Sequence, residues 1–447
     1  MLQEECKEKI LSEEYRDFMM RDTGALGKNF PLENGCRIPL KYGFELFYID
    51  QSEDRKKSLA DYPYTMVPKC YTTLDMAAIQ QAGIAAVQNI PGLELSGEGV
   101  LVGIIDTGIN YLDPIFRNLD GSTRIQRIWD QEEQSGTAPR GIGYGSEYTK
   151  EQINQAILSE NPKETVPSFD TNGHGTFVAS VACGGANPEN LFIGAAPEAE
   201  MVIVKLKEAK EYLREYYFVD CDARCYQEND LVAAVFYLQK VQEELKRPLV
   251  ICLAVGTSFG GHGGYSILSE YLQNVAASEG IGIVTGSGNE ADKRHHYLGI
   301  LEQENNLPVE INVGNNTRGF VMELWTELPN LLALSIASPT GQTVGPISLK
   351  RGIGEYVFVF EQTRVIFNYR VLVETTGAQL AFFQFDRPGK RNLEDYTGNT
   401  GAGEWNLSYL ASNGRVSDGK CLFYPCKSGI YGDGTRGYRG GGLCSVL

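Results

Sequence analysis

Residues 99–108 read GVLVGIIDTG, a run of β-branched and aliphatic residues that stops at a carboxylate, Asp106, followed by Thr-Gly. A continuous apolar run of this length, bounded by turn residues, reads as a strand buried on both faces, as parallel strands are. Three more runs share the pattern: AEMVIVKL (199–206), PLVICLAVG (248–256) and GIGIVTGSGN (280–289). Helical patterns lie between them. NDLVAAVFYLQKVQEEL (229–245) sets Leu231, Val235, Leu238 and Val241 on one face, with Asp230 as its N-cap. YSILSEYLQNVAASEG (265–280) repeats the scheme with Leu268, Leu272 and Val275. The alternation predicts an α/β fold over about 95–300, a parallel sheet flanked by helices. Open α/β sheets place their sites at the carboxyl ends of strands, which is where Asp106 falls.

Outside that region the texture changes. Residues 1–70 are polar and mixed, and read either as a small α+β unit or as a simple extension. From about 305, FVMELW, LLALSIA, YVFVFEQT, RVIFNYRVLVE and LAFFQF are short and aromatic-rich with turn residues between them, the pattern of an antiparallel sandwich. The last 57 residues, from Arg391, hold 12 glycines and three of the ten cysteines, with no sustained periodicity, and are not expected to continue the fold.

Composition narrows the function classes. The 447 residues carry 57 acids against 40 bases, a formal charge of −17, which repels phosphate and anionic lipid. Nucleic acid is not an expected partner. The N-terminus MLQEECKEKILSEEYRDFMMR lacks the apolar core of a signal peptide, and no apolar run is long enough to span a bilayer, so a cytoplasmic or spore-associated protein without a membrane partner is expected. The cysteines form no CxxC pair, and Cys221 and Cys225 have no matching pair or nearby histidine, so free buried thiols and no structural metal are expected. No cofactor is expected either. His262, His295 and His296 read as loop residues.

Two stretches carry chemistry. VGIIDTG ends in Asp106, and DTNGHGTFVAS (170–180) flanks His174 with Gly173 and Gly175 ahead of a small-residue helix. Glycines on both sides permit close backbone approach. A buried aspartate facing a histidine fixes the imidazole tautomer and stabilises its charged form, as a general base requires.

Together with TGSGNE (285–290), these stretches resemble the subtilisin-like serine proteases over residues 95–300, in the family's order of Asp, His and then Asn. The resemblance implies catalytic roles for Asp106 and His174, and an oxyanion-hole amide from Asn289. It also implies a substrate cleft lined by Ala254, Val255 and Gly256 on one side and by Gly286, Ser287 and Gly288 on the other. YLREYYF, YQENDLVAAVFYL and RPLVICLAVGTSFGGHGG resemble more closely the clostridial Csp germination proteases, members of the same superfamily. Those carry a β jelly roll between the oxyanion asparagine and the serine. The implied layout is a prodomain-like segment at 1–70, an incomplete catalytic domain at 71–304, a partial jelly-roll insertion at 305–390 and an aberrant tail at 391–447.

The nucleophile is the difficulty. VGTSFGGHGG (255–264) contains Gly-Thr-Ser, but the family's serine motif reads GTSxA with a following proline, and here Phe259, Gly260, Gly261 and His262 follow. Ser258 is therefore read as lying on the turn after the cleft strand. No GTSxA occurs after Asn289. If Gly389, Lys390 and Arg391 are encoded GGA AAA AGG, loss of one A opens a frame in which compatible codons permit GIWRITLETLVQENGTFHIWLPMEGF, a strand-like peptide resembling the closing strands of the Csp jelly roll. The tail is thus expected to be a frameshifted readout of a longer gene that encodes the serine. The expected function is serine endopeptidase action on protein or peptide substrates, with a role in germination implied by the resemblance, and the chain as written is expected to be inactive. A non-catalytic pseudoprotease that binds a partner is the alternative, and a propeptide or a pseudoprotease are the other partners the resemblance implies.

Overall fold

A computed structural model describes residues 2–21, 35–54, 58–73, 84, 88, 90, 95–187, 192–220, 222–261, 263–288, 295–301, 306–313, 317–328, 332–347, 352–370, 372–373, 376–388, 404–411 and 419–425. The four apolar runs are strands of one sheet, ordered Ile281–Thr285, Leu249–Leu253, Leu101–Asp106, Glu200–Lys205, Ile125–Asp130 and Ser146–Thr149. The first five are parallel and the last pairs antiparallel. Every side chain of Leu101–Asp106 is buried, which its unbroken apolar sequence requires.

Alternate residues of that strand face two cores. Leu101 and Ile105 pack with helices Glu228–Leu245 and Ile267–Ala276, whereas Val102 and Ile104 pack with Val178, Ala179 and Cys183 of helix His174–Cys183. Gly103 admits the longer helix, because a Cβ there would lie 2.6 Å from Leu238 Cδ1. Leu231, Val235, Leu238 and Val241 are all buried, as the helical period requires. Asp230 is not the N-cap. The helix starts two residues earlier with Gln227 as its cap, and Asp230 is a fully buried acid that lies 2.6 Å from Lys207 Nζ and accepts from the Tyr144 hydroxyl at 3.0 Å.

The N-terminal residues take the α+β form. Helix Leu2–Leu11 accompanies an antiparallel sheet ordered Tyr15–Arg21, Phe44–Asp50, Cys36–Pro39. This sheet packs against the two helices above, with the Phe44 ring edge-on to Tyr271 at 5.3 Å. The expectation of free thiols fails at Cys6 and Cys36, which are disulfide-bonded with their Cα atoms 5.4 Å apart. The helix lies against the edge strand and brings together two residues thirty positions apart. Among the described residues, Cys70, Cys183, Cys225 and Cys252 form no disulfide.

Beyond residue 297 two antiparallel sheets share a core. One is ordered Tyr297–Leu301, Gly419–Pro425, Gly319–Glu327, Ala378–Asp386, Thr363–Arg370, Ile353–Phe358, and the other Asn306–Asn312, Glu404–Ala411, Leu332–Ala337, Thr343–Ile347. Phe320, Phe383 and Phe385 from the first meet Leu334, Ile336 and Ile347 from the second. The expectation that nothing folded follows Arg391 is corrected at two places. Glu404–Ala411 and Gly419–Pro425 are strands, each paired on both sides within its sheet. They fill gaps that would otherwise leave four open strand edges. The rest of the tail lies outside the described residues. Among those residues, no helix is long and apolar enough to cross a membrane.

Candidate active site

Asp106 ends the central strand with its side chain fully buried. Its Oδ1 accepts the Thr107 backbone N–H at 2.7 Å and lies 2.8 Å from His174 Nδ1. Its Oδ2 has no hydrogen-bond partner among the described residues. A buried carboxylate with one oxygen unsatisfied favours a proton held on the facing imidazole nitrogen, and stabilises positive charge on that ring. The His174 side chain is 16% exposed, so the ring is buried on the Asp106 side and accessible on another.

The histidine is held in place by its helix start. Gly173 is the N-cap with φ 90° and ψ −13°, a left-handed conformation that glycine adopts without steric cost. A Cβ at Gly173 would meet nothing within 4 Å, so this glycine is needed for its backbone angle and not for space. Gly175 is needed for space, since a Cβ there would lie 2.2 Å from the Gly108 carbonyl oxygen. The expected close backbone approach therefore holds at Gly175 and not at Gly173, which is needed for its left-handed backbone instead.

Asp170, which the sequence reading did not single out, is the hub of this start. Its Oδ1 accepts from Thr107 Oγ1 (2.9 Å), Asn172 N (3.0 Å) and Gly173 N (2.8 Å), and its Oδ2 from Thr176 N (2.9 Å) and Thr176 Oγ1 (2.7 Å). Burial raises its pKa, but these hydrogen bonds, those from Thr176 foremost, hold it below the usual 3.8. Thr107 Oγ1 in turn accepts from Gly175 N at 2.8 Å, and Thr176 Oγ1 accepts from Asn110 N at 2.9 Å. Three side chains, Asp170, Thr107 and Thr176, therefore stitch the Asp106 loop to the His174 helix. The signal in the sequence was an aspartate heading an Asn-Gly turn just before a helix.

The strand expected to line a substrate cleft is paired within the chain. Val255–Gly256 pairs antiparallel with Cys70–Thr73, Val255 opposite Thr73 and Gly256 opposite Thr72. On its other side Cys70–Thr73 pairs with Tyr226–Gln227, Cys70 opposite Gln227 and Tyr71 opposite Tyr226. An extended segment thus lies as the central strand of three. Val255 and Gly256 present their backbones to it, whereas the Ala254 side chain is buried in the core with Ile104. Gly286, Ser287 and Gly288 are exposed and follow strand Ile281–Thr285, with Gly286 N donating to the Leu253 carbonyl at 3.2 Å. Asn289 and His262 lie outside the described residues.

Ser258 lies on the turn after the cleft strand and makes no hydrogen bond with His174. That turn is fixed from the β sheets. Glu323, fully buried, accepts from Gly260 N at 2.9 Å, Trp325 Nε1 at 2.9 Å and the Tyr64 hydroxyl at 2.6 Å. Among the described residues, no cluster of acidic, histidine or cysteine side chains is arranged to hold a metal ion.

A parallel α/β sheet with an Asp–His pair at a strand end, beside a short strand that pairs with an extended segment, is consistent with a subtilisin-like fold. Residues 97–316 match the family described as the Subtilase family, Peptidase_S8. Over this region the chain is similar to the subtilases. It is similar in structure to the CspB protease of Clostridium perfringens, with a TM-score of 0.64 and 26% identity over 77% of this chain and 64% of that one. In sequence it is 32% identical over 102 residues to the subtilisin-like protease SBT2.2 of Arabidopsis thaliana, covering 21% of this chain and 12% of the plant protein. It is 28% identical over 161 residues to the PII-type proteinase of Lacticaseibacillus paracasei, covering 34% of this chain and 8% of that protein. The match thus spans a small part of the curated relatives' length.

Proposed function

We propose that this chain is a serine-type endopeptidase of the subtilisin class, acting on protein or peptide substrates. The observation that carries the reading is the Asp106–His174 contact of 2.8 Å at the sheet edge, beside a strand already paired with an extended segment. His174 serves as general base and acid, Asp106 orients it and stabilises its charged form, and Asn289 donates to the oxyanion. Val255 and Gly256 hold the substrate backbone, and Gly286 to Gly288 form the facing wall. Residues 1–70 act as a prodomain-like segment, and the antiparallel sheets from 305 correspond to a jelly-roll insertion. A role in spore germination is supported by resemblance to Csp proteases alone.

On this reading the serine lies in the continuation of the gene, in the frame one nucleotide later from about Arg391, and that frame must supply its own strands in place of Glu404–Ala411 and Gly419–Pro425. Val284, on the edge strand of the parallel sheet, is 58% exposed, and further chain would cover it. The second reading, a pseudoprotease that binds without cleaving, is favoured by one observation: the chain's own Cys70–Thr73 fills the cleft. Sequencing the DNA encoding residues 380–400 and treating both the written and the frame-restored chains with a fluorophosphonate probe tests the proposal. Labelling of the restored chain alone is expected. No labelling of either chain favours the binding reading.

A further inference from the structure

The cleft wall opposite Val255–Gly256 carries a carboxylate that peptide hydrolysis does not use. Glu228 follows strand Tyr226–Gln227 directly, opens the helix Glu228–Leu245 and is fully buried. Its charged partner belongs to the segment that lies in the cleft. Lys69 N donates to Glu228 Oε2 at 3.2 Å, Lys69 Nζ lies 3.8 Å from the same oxygen, and the Lys69 carbonyl accepts from Glu228 N at 3.0 Å. Both side chains are almost wholly withdrawn from water, at 4% and 0% exposure. The Tyr71 phenol lies beside the carboxylate, and burial followed by the Glu228 charge pushes its pKa well up. Glu228 Oε1 itself has no well-formed hydrogen bond. On the protein's own side the backbone N–H of Leu268 assists the charge.

When a foreign segment replaces Cys70–Thr73, Lys69 and Tyr71 leave together, and a buried carboxylate remains without a counter-charge. A buried charge must be paired or neutralised. Residues two apart on an extended chain face the same side, so a basic residue at the place of Lys69 and a hydroxyl-bearing aromatic at the place of Tyr71 both reach Glu228. An apolar residue at the first position leaves the carboxylate unpaired, and an acidic one repels it.

We propose that Glu228 is a specificity-determining residue of the cleft, selecting extended protein segments that carry lysine or arginine two positions before a tyrosine. This rests on reading the cleft as a peptide site.

The test uses the full chain with Thr72→Pro, since proline disrupts the centre of a three-stranded sheet and loosens the chain's own strand. Two fluorescent decapeptides of sequence 64–73, with serine for Cys70, are titrated by anisotropy, one keeping the lysine and one with norleucine in its place. The lysine peptide is expected to bind about tenfold tighter or more, and Glu228→Gln to bring the two within about twofold. Equal binding to the Glu228 chain, or a preference that survives Glu228→Gln, overturns the proposal and leaves the peptide cleft standing. Failure of both peptides to bind overturns the cleft reading and the proposal with it. Hydrogen exchange at 70–73 gives an independent readout in chains without the proline. Lys69→Met should speed exchange about tenfold or more, with Glu228→Gln added to it restoring much of the protection. Unchanged exchange in Lys69→Met overturns the proposal.

Discussion

Replacing Asp17 by alanine should be among the most damaging single changes outside the site. Asp17 sits on strand Tyr15–Arg21, fully buried. Its Oδ1 lies 2.5 Å from Lys210 Nζ, and its Oδ2 accepts from Gln227 Nε2 at 2.6 Å and Asn229 Nδ2 at 3.0 Å. The Lys210 side chain is 3% exposed, so Asp17→Ala leaves an ammonium and two amides facing a void. Breaking such a pair costs about 3–5 kcal/mol. At a few degrees per kcal/mol for a domain of this size, the melting temperature should fall by about 10 °C. Burial already lowers the Lys210 pKa despite the attraction of Asp17, and loss of Asp17 lowers it further. A base whose folded pKa lies below its unfolded value holds fewer protons when folded, so stability rises with pH through the window between the two. The damage in Asp17→Ala should therefore lessen as pH is raised from 7 toward the usual lysine value of 10.5. The double variant Asp17→Leu with Lys210→Met removes both charges and should recover most of the loss. Calorimetry of the three chains at pH 7 and 9 measures this. A single variant within about 1 kcal/mol of the parent, or a double variant as damaged as the single, refutes the claim that this pair anchors the N-terminal sheet.

Other outcomes follow from the site. Gly175→Ala forces a methyl group against the Gly108 carbonyl, so the helix start must shift and His174 lose its 2.8 Å contact, seen as altered titration of the imidazole by NMR. Asp170→Asn places an amide among five donors and should cost about 2–3 kcal/mol. The folded Asp170 pKa lies below 3.8, so its contribution is full above that value and is lost as pH falls through the folded value, and urea melts at pH 6 and 3 should converge for parent and variant at the lower pH. Burial pushes the Cys183 thiol up to about 12, so pulsed alkylation at pH 8 should spare Cys183 until the chain unfolds. Glu323→Ala removes the acceptor for Gly260 N–H and should speed exchange of that amide while leaving the Asp106 strand protected.

What was legible in the sequence was local. The parallel strands announced themselves because a strand buried on both faces is apolar throughout, and Asp106 and His174 because one ends such a strand before Thr-Gly and the other opens a helix between two glycines. Helix Glu228–Leu245 was legible from the spacing of Leu231, Val235, Leu238 and Val241, yet its start was misplaced, because an aspartate near a helix start reads as a cap when its partner Lys207 is not in view. Asp17, Glu228 and Glu323 were illegible for the same reason. Each is a buried acid compensated by groups far away in sequence, Lys210 for Asp17 being 193 residues distant. The Cys6–Cys36 bridge depends on how a helix lies against a strand, which spacing alone does not give. The strand Cys70–Thr73 straddles the boundary expected at residue 70, since nothing in four residues tells that they will pair with Val255–Gly256 and Tyr226–Gln227. In the tail, Trp405, Leu407 and Tyr409 alternate as strand residues do, but a high glycine content hid the pattern.

The most direct measurement is hydrolysis of a fluorogenic protein substrate by three purified chains: the 447 residues as written, the frame-restored chain, and the restored chain with His174→Ala. Turnover by the restored chain alone, reduced by about 10⁴-fold or more in the His174 variant, is the expected result. Turnover by the chain as written that disappears with His174→Ala would contradict it, and would move the nucleophile to a serine already present, Ser258 first.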